Sequence, residues 1–242
     1  MIRINNISVP LDFKFTDENL INISADELKI KSSGIKSAKL SKKSVDARKK
    51  NKICFVISVD TELENNLNEE KIIAKNKNTV KAEKYTYQIN HIKPPEKRPV
   101  IIGFGPAGMF ASLVLAESGA NPIVLERGSD VDSRKKAVEN FWNNGILDEN
   151  CNVQFGEGGA GTFSDGKLTT GTKDPRIRYI LESFVKFNAP EEILYLAKAH
   201  IGTDKLIDVV KNLRNYVISK GGEVKFNSRF DKFDISDGKI KG

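Results

Sequence analysis

The sequence predicts an α/β protein in two parts. A small basic α+β domain occupies residues 1–98, and residues 99–242 form a domain built on a parallel sheet. Three observations lead there. The stretch HIKPPEKRP (91–99) holds three prolines and four charges, a composition that reads as an extended linker. Downstream of it, short apolar runs alternate with helical patterns, as in β-α-β units. The charge also divides at this point. Residues 1–98 carry 20 Lys/Arg against 13 Asp/Glu, and residues 99–242 carry 19 of each, so the whole excess of +7 lies upstream.

In the first part, IRINNISVPL alternates weakly and reads as a strand, and DENLINISADELKI reads as a helix from Asp17 to about Leu28. KICFVISVDTEL alternates apolar and polar residues with β-branched enrichment, and KAEKYTYQINHI is a further strand candidate. Between them, Lys29 to Lys52 carries ten basic residues and one acid, Asp46. One reading is an electrostatic surface for an anionic partner such as RNA. The other is a solvated surface whose lysines guard an edge strand, and the absence of interleaved aromatic residues favours it.

In the second part, PVIIG is a short buried strand and PAGMFASLVLAESG a helix stopped at Gly119. NPIVLERG is a strand ending on Glu126. DVDSRKKAVENFWNNG is a helix opened by Asp130 or Asp132 and closed near Gly145. DPRIRYILESFVKFN starts a helix with Asp174 as cap and Pro175 in the first turn. TDKLIDVVKNLRNYVISKGG places Leu206, Val209, Val210, Leu213 and Val217 on one stripe, with Thr203 as cap and Gly221 as stop, and GEVKFNSRF follows as a third parallel strand.

The junction GFGPAG has the spacing G-x-G-x-x-G between a strand and an apolar helix, with Glu126 closing the next strand about 20 residues on. Each position has a physical reason. Gly103 permits the tight turn, Gly105 lets backbone approach a pyrophosphate, and Gly108 lets the helix pack closely. The helix N-terminus favours an anion, and Glu126 can accept ribose hydroxyls while repelling a 2′-phosphate. This motif alone does not separate NAD from FAD. A second glycine run, QFGEGGAGTFSDGKL, stands where a plain NAD-dependent dehydrogenase would continue its sheet, and such a run can lie flat against a planar ligand.

GFGPAGMFASLVLAESG, VLERG, NVQFGEGGAGTFSDGKL and AHIGTDKL together resemble a bacterial family of FAD-dependent dehydrogenase-like flavoproteins. That family belongs to the class with two dinucleotide-binding domains, which includes glutathione reductase and fumarate reductase. KKSVDARKKNKICFVISVD also looks like the family's N-terminal domain. The resemblance implies a Rossmann-like sheet holding FAD, with NAD(P)H as a possible electron donor. It implies that Gly103, Gly105, Pro106, Ala107 and Gly108 hold the pyrophosphate and that Glu126 binds the adenosine ribose with Arg127 at the adenine end. Arg134 would reach the cofactor phosphates, and Gly158, Gly159, Ala160, Gly161 and Thr162 would line the flavin or its pyrophosphate side. The wider class closes its site with a distal T-x-x-G-(aromatic)-A-x-G-D segment, which this sequence lacks. The expectation is therefore an N-terminal part of a longer protein, with the sheet incomplete at its C-terminal end.

His200, in KAHIGTD, is the one catalytic candidate, since a titratable imidazole at the rim of the sheet can move a proton. A loop histidine with a structural hydrogen bond is the competing reading. Asp165 and Lys167 flank the second glycine run and read equally well as solvated surface. Cys54 and Cys151 have no C-x-x-C neighbour, so neither a zinc nor a dithiol motif is present. No apolar run reaches the length of a membrane helix and the N-terminus lacks a signal peptide's apolar core, so the expected location is cytoplasmic. The function expected is an FAD-binding oxidoreductase. The alternative is an RNA-associated flavoprotein that meets nucleic acid through its basic domain.

Overall fold

A computed structural model describes residues 1–164, 166–168, 170–237 and 239–240. It is a mixed α/β structure that divides into two compact units. The first comprises Met1–Thr86, Leu168–Leu181 and Glu191–Ala199; the second comprises Tyr87–Lys167, Glu182–Pro190 and the chain from His200 onward. Two segments beyond the glycine runs thus cluster with the N-terminal residues rather than with their sequence neighbours.

The first unit runs β1 (Ile2–Val9), α1 (Asp17–Leu28), β2 (Ile35–Asp46), β3 (Cys54–Leu63), α2 (Glu69–Lys75) and β4 (Thr79–Lys81). These strands make one antiparallel sheet in the order β2-β3-β1-β4, a split β-α-β arrangement. Helix α1 starts where Thr16 accepts from the amide of Asn19 and stops where Lys29 turns left-handed at φ 57°. Its buried residues Leu20, Ala25 and Leu28 join Ile2, Ile4, Ile57 and Val59 in the core. On the opposite face Arg3 grips Asp60 with two hydrogen bonds of 2.6 and 2.8 Å.

β2 is an edge strand with Lys36, Lys39 and Lys42 exposed along it. Its period is broken by bulges, which hid it from the sequence pattern. Residues 195–197 add to it, Lys43 donating to the carbonyl of Tyr195 and accepting from the amide of Ala197. The strand expected over KAEKYTYQINHI does not form. β4 reaches only Lys81, opposite Ile2 where β1 begins, and the pairing stops at Ala82, whose amide donates to the carbonyl of Met1. Cys54 is half-buried and Cys151 buried.

The second unit contains β5 (Val100–Ile102), α3 (Pro106–Glu117), β6 (Ile123–Leu125), α4 (Val131–Asn144), the last part of α5 (Arg176–Lys186), α6 (Thr203–Ser219) and β7 (Glu223–Lys225). The three strands pair in parallel in the order β5-β6-β7. Stops fall where the sequence puts them: Gly119, Gly145 and Gly221 all have positive φ. Asp130 caps α4 through the amides of Asp132 and Ser133. Helix α6 differs at its start. Gly202 occupies the cap position and Thr203 is the first helical residue, with no side-chain cap. A hairpin of β8 (Ile235–Ser236) and β9 (Lys239–Ile240) ends the described chain. No helix among the described residues is long and apolar enough to cross a membrane.

Ile4 lies on a central strand and is 1% exposed. Ile4→Ala removes three buried carbons and should lower stability by roughly 2–5 kcal/mol, read as a shift of the urea midpoint. A change below about 0.5 kcal/mol, the size of an ordinary surface substitution, would show that this core is not packed as described.

Candidate functional site

The turn from β5 into α3 is shaped by three glycines. Gly103 sits at φ 89°, where a side chain is strained. A Cβ on Gly108 would lie 2.0 Å from the carbonyl oxygen of Gly103, so the helix and the turn touch through bare backbone. Gly105 is different. It has ordinary extended φ and ψ, and a Cβ there would meet only the Cα of Gly159, at 3.8 Å. The fold does not need its hydrogen; what it leaves is open space.

That space is a cleft of about 260 Å³, lined in part by Gly103, Gly105, Glu126, Arg127, Gly156 and Gly159. Pro106 and Ala107 are exposed at the first turn of α3. Helix geometry leaves the amides of Ala107 and Gly108 without intrahelical acceptors. Arg127 stacks its guanidinium 4.2 Å from the ring centre of Phe155. Five of the thirteen expected residues, Gly103, Gly105, Glu126, Arg127 and Gly159, thus line one opening, and the first part of the second glycine run borders it; Gly158, Ala160, Gly161 and Thr162 are not on its lining.

Glu126 is buried, and its carboxylate fastens three turns together. Oε2 accepts from the amide of Phe104 at 2.7 Å, and Oε1 accepts from the amides of Gly128 at 2.9 Å and Gly156 at 3.0 Å. A carboxylate has about four acceptor positions, so about one remains.

Arg134 lies elsewhere than expected. It is fully buried, with no exposure to the cleft, and its guanidinium donates to the carbonyls of Asn152, Val153, Gly156, Glu157 and Gly159 at 2.6–3.3 Å. A Cβ on Gly156 would lie 2.4 Å from Arg134 Cδ, so glycine there makes room for it. Arg134 builds the loop rather than reaching for phosphate. The sequence signal was a basic residue one turn into a helix that precedes a glycine run, but burial was not legible from it.

Glu157 was missed altogether. It is fully buried, accepting through Oε2 from the amide of Val131 at 2.8 Å and from Arg214 at 2.7 Å. Among the described residues its Oε1 has no hydrogen-bond partner, nor does the buried Oγ1 of Thr162 in the same run. Burial pushes its carboxyl up to about 6, against the opposing pull of the Val131 amide and Arg214. Gly158 accepts no larger residue, because a Cβ there would meet Thr162 Oγ1 at 2.1 Å. Ala160 is exposed and Gly161 half-exposed. His200 is exposed, its backbone bridged to Lys167, and it is not among the residues lining the cleft. Asp165 falls outside the described residues.

Two outcomes follow from this arrangement. Arg134→Lys offers one point charge for five carbonyls; it should cost roughly 3–5 kcal/mol, read by urea unfolding followed through Trp142, whose ring packs against Phe163 of the run. Glu157 has a folded-state pKa above its ordinary value of 4.5, so the folded protein holds this proton more tightly. Its contribution to stability is therefore full below pH 4.5 and is lost as pH rises through about 6. Glu157→Gln has no such proton. Between pH 4.5 and 7 its stability relative to the native protein should improve by on the order of 2 kcal/mol, and parallel pH profiles would contradict this.

Comparison with known proteins adds the following. The profile of a domain of unknown function, DUF8436, matches residues 1–62. An uncharacterized protein of Clostridium beijerinckii is 44% identical over 245 residues, which cover 99% of this chain. The chain spans 45% of the length of that relative.

Proposed function

We propose that the second unit binds the adenosine diphosphate portion of FAD and that the protein is part of an FAD-dependent oxidoreductase. The observation that supports this best is the cleft at the start of α3, where Gly105 leaves room the fold does not use. At about 260 Å³ it is smaller than the pockets that enclose whole ligands, as suits a site for one end of a dinucleotide. The diphosphate would lie against Gly103, Gly105 and the amides of Ala107 and Gly108, held by the helix N-terminus. Glu126 would accept one ribose hydroxyl at its remaining acceptor position while still clasping the three turns. Arg127, planar and stacked on Phe155, would meet the adenine. Gly158 to Thr162 would border the part of the cofactor beyond the diphosphate. The flavin supplies the hydride chemistry when bound, with a reduced nicotinamide as electron donor; the protein orients it and excludes water.

Purified protein extended to the length of its relative should carry flavin absorption bands. Gly105→Ala should fold with unchanged stability and lose flavin, because the added methyl makes only an ordinary contact with the Cα of Gly159, at 3.8 Å, but stands where the diphosphate would lie. Full flavin occupancy in that variant, or a native protein that takes up no FAD, would overturn the reading.

A second reading rests on one observation. Nine of the ten basic side chains between Lys29 and Lys52 are exposed. They suit a polyanion such as tRNA, and retention on RNA that weakens steeply with salt would favour that role.

A further inference from the structure

The antiparallel sheet of the first unit carries three β-bulges, and two of them fall at the same place. Between Ile4 and Ile7, β1 inserts a residue against β3; between Leu40 and Lys42, β2 inserts Ser41 against β3. The residue of β3 at both irregularities is Ser58: Lys42 is its partner on one side, and Asn5 hydrogen-bonds to it on the other. A bulge re-aims side chains and breaks the ladder locally. Two bulges thus lie on either side of one residue.

Beside them is an open hollow of about 250 Å³, lined on one side by Arg3, Asn5, Ser41, Lys42 and Ser58. The donors and acceptors of this wall can be assigned. Ser58 donates its hydroxyl to Asn5 Oδ1 at 2.9 Å, which leaves the amide NH₂ of Asn5 as the group it can still offer. Arg3 directs Nε and Nη2 at Asp60, which neutralises that carboxylate and leaves Nη1. Lys42 adds an exposed ammonium, and Ser41 adds a hydroxyl. The wall is therefore rich in donors and positive. The facing wall is Leu181 with residues 193–197, whose side chains are Ile, Leu, Tyr, Leu and Ala. The Lys43 amide donates to the carbonyl of Tyr195 and its carbonyl accepts from the amide of Ala197, which fixes that segment beside β2.

We propose that this hollow is a binding site for a small organic anion, a phosphate or carboxylate group on a short apolar body. The headgroup meets Lys42, Ser41, Asn5 and Arg3, and the body lies against the apolar wall. All five residues of the polar wall fall within the stretch matched by the domain of unknown function, while the apolar wall comes from Leu181 and residues 193–197, outside it. The site does not depend on flavin binding by the other unit.

The test is calorimetric titration of the full chain with phenyl phosphate, benzoate and inorganic phosphate. Saturable binding of phenyl phosphate or benzoate is expected, and which of the two binds tighter identifies the headgroup. Inorganic phosphate should bind more weakly than phenyl phosphate because it makes no use of the apolar wall. Lys42→Gln, at an exposed position that should leave the circular dichroism spectrum unchanged, should weaken binding roughly tenfold, as loss of one charge-assisted hydrogen bond does. Ser41→Ala should weaken it less. Absence of saturable binding of both organic anions, affinity unchanged by Lys42→Gln, or inorganic phosphate binding as tightly as phenyl phosphate would each overturn the proposal.

Discussion

One buried guanidinium gives the corner around the cleft its shape. Residues 152–159 form neither helix nor strand, yet several of them are buried, so their carbonyls need partners that no ladder supplies. Arg134 brings a planar fork of donors into their midst and satisfies five of those carbonyls from one side chain. Burying the charge is costly, and converging carbonyl dipoles offset it only with good geometry. Helix α4 provides that geometry: Asp130 caps it, Val131 is buried at its start, and Arg134 follows one turn on.

Two carboxylates complete the corner and behave differently. Glu126 accepts from three backbone amides, so its ionised form is well supported where it stands. Glu157 has one amide, one arginine and an oxygen with no partner, and desolvation prevails over the attraction of Arg214. Among the side chains that line the cleft, Arg127 and Arg229 are basic and Glu126 is acidic. Arg134 contributes through the loop it holds, and the loop in turn places Gly156 and Gly159 on the cleft wall.

Much of this was legible in the sequence where a local rule sufficed. The extent of α1 follows from its helical pattern, the end of α3 from Gly119, and both ends of α4 from Asp130 and Gly145. The parallel strands follow from apolar runs between helical patterns. What could not be read was whatever depends on burial of a charge. Glu126 was recognisable as an acid at a strand end, but its clasp on Phe104, Gly128 and Gly156 joins positions up to 30 residues apart. Arg134 and Glu157 look like surface residues in a one-dimensional pattern, because nothing local marks them as enclosed. Strand β2 escaped for another reason. Bulges shift its alternation, so lysines and apolar residues fall out of period, and the stretch reads as a charged surface segment.

The same irregularity that hides an element marks where chemistry can be done. A regular strand or helix satisfies its own backbone and presents side chains at fixed intervals, leaving little freedom to converge several polar groups on one point. The glycine-bearing turn before α3 and the paired bulges at Ser58 both break that regularity, and each faces a hollow. In the first, absence of side chains exposes backbone amides to an anion. In the second, displaced side chains gather donors against an apolar wall. The stretch from Lys29 to Lys52 then has two kinds of basic residue. Lys36 and Lys39 face solvent along the edge strand, where their charge guards against strand pairing, while Lys42, exposed on the same strand, also lines the hollow beside Ser41.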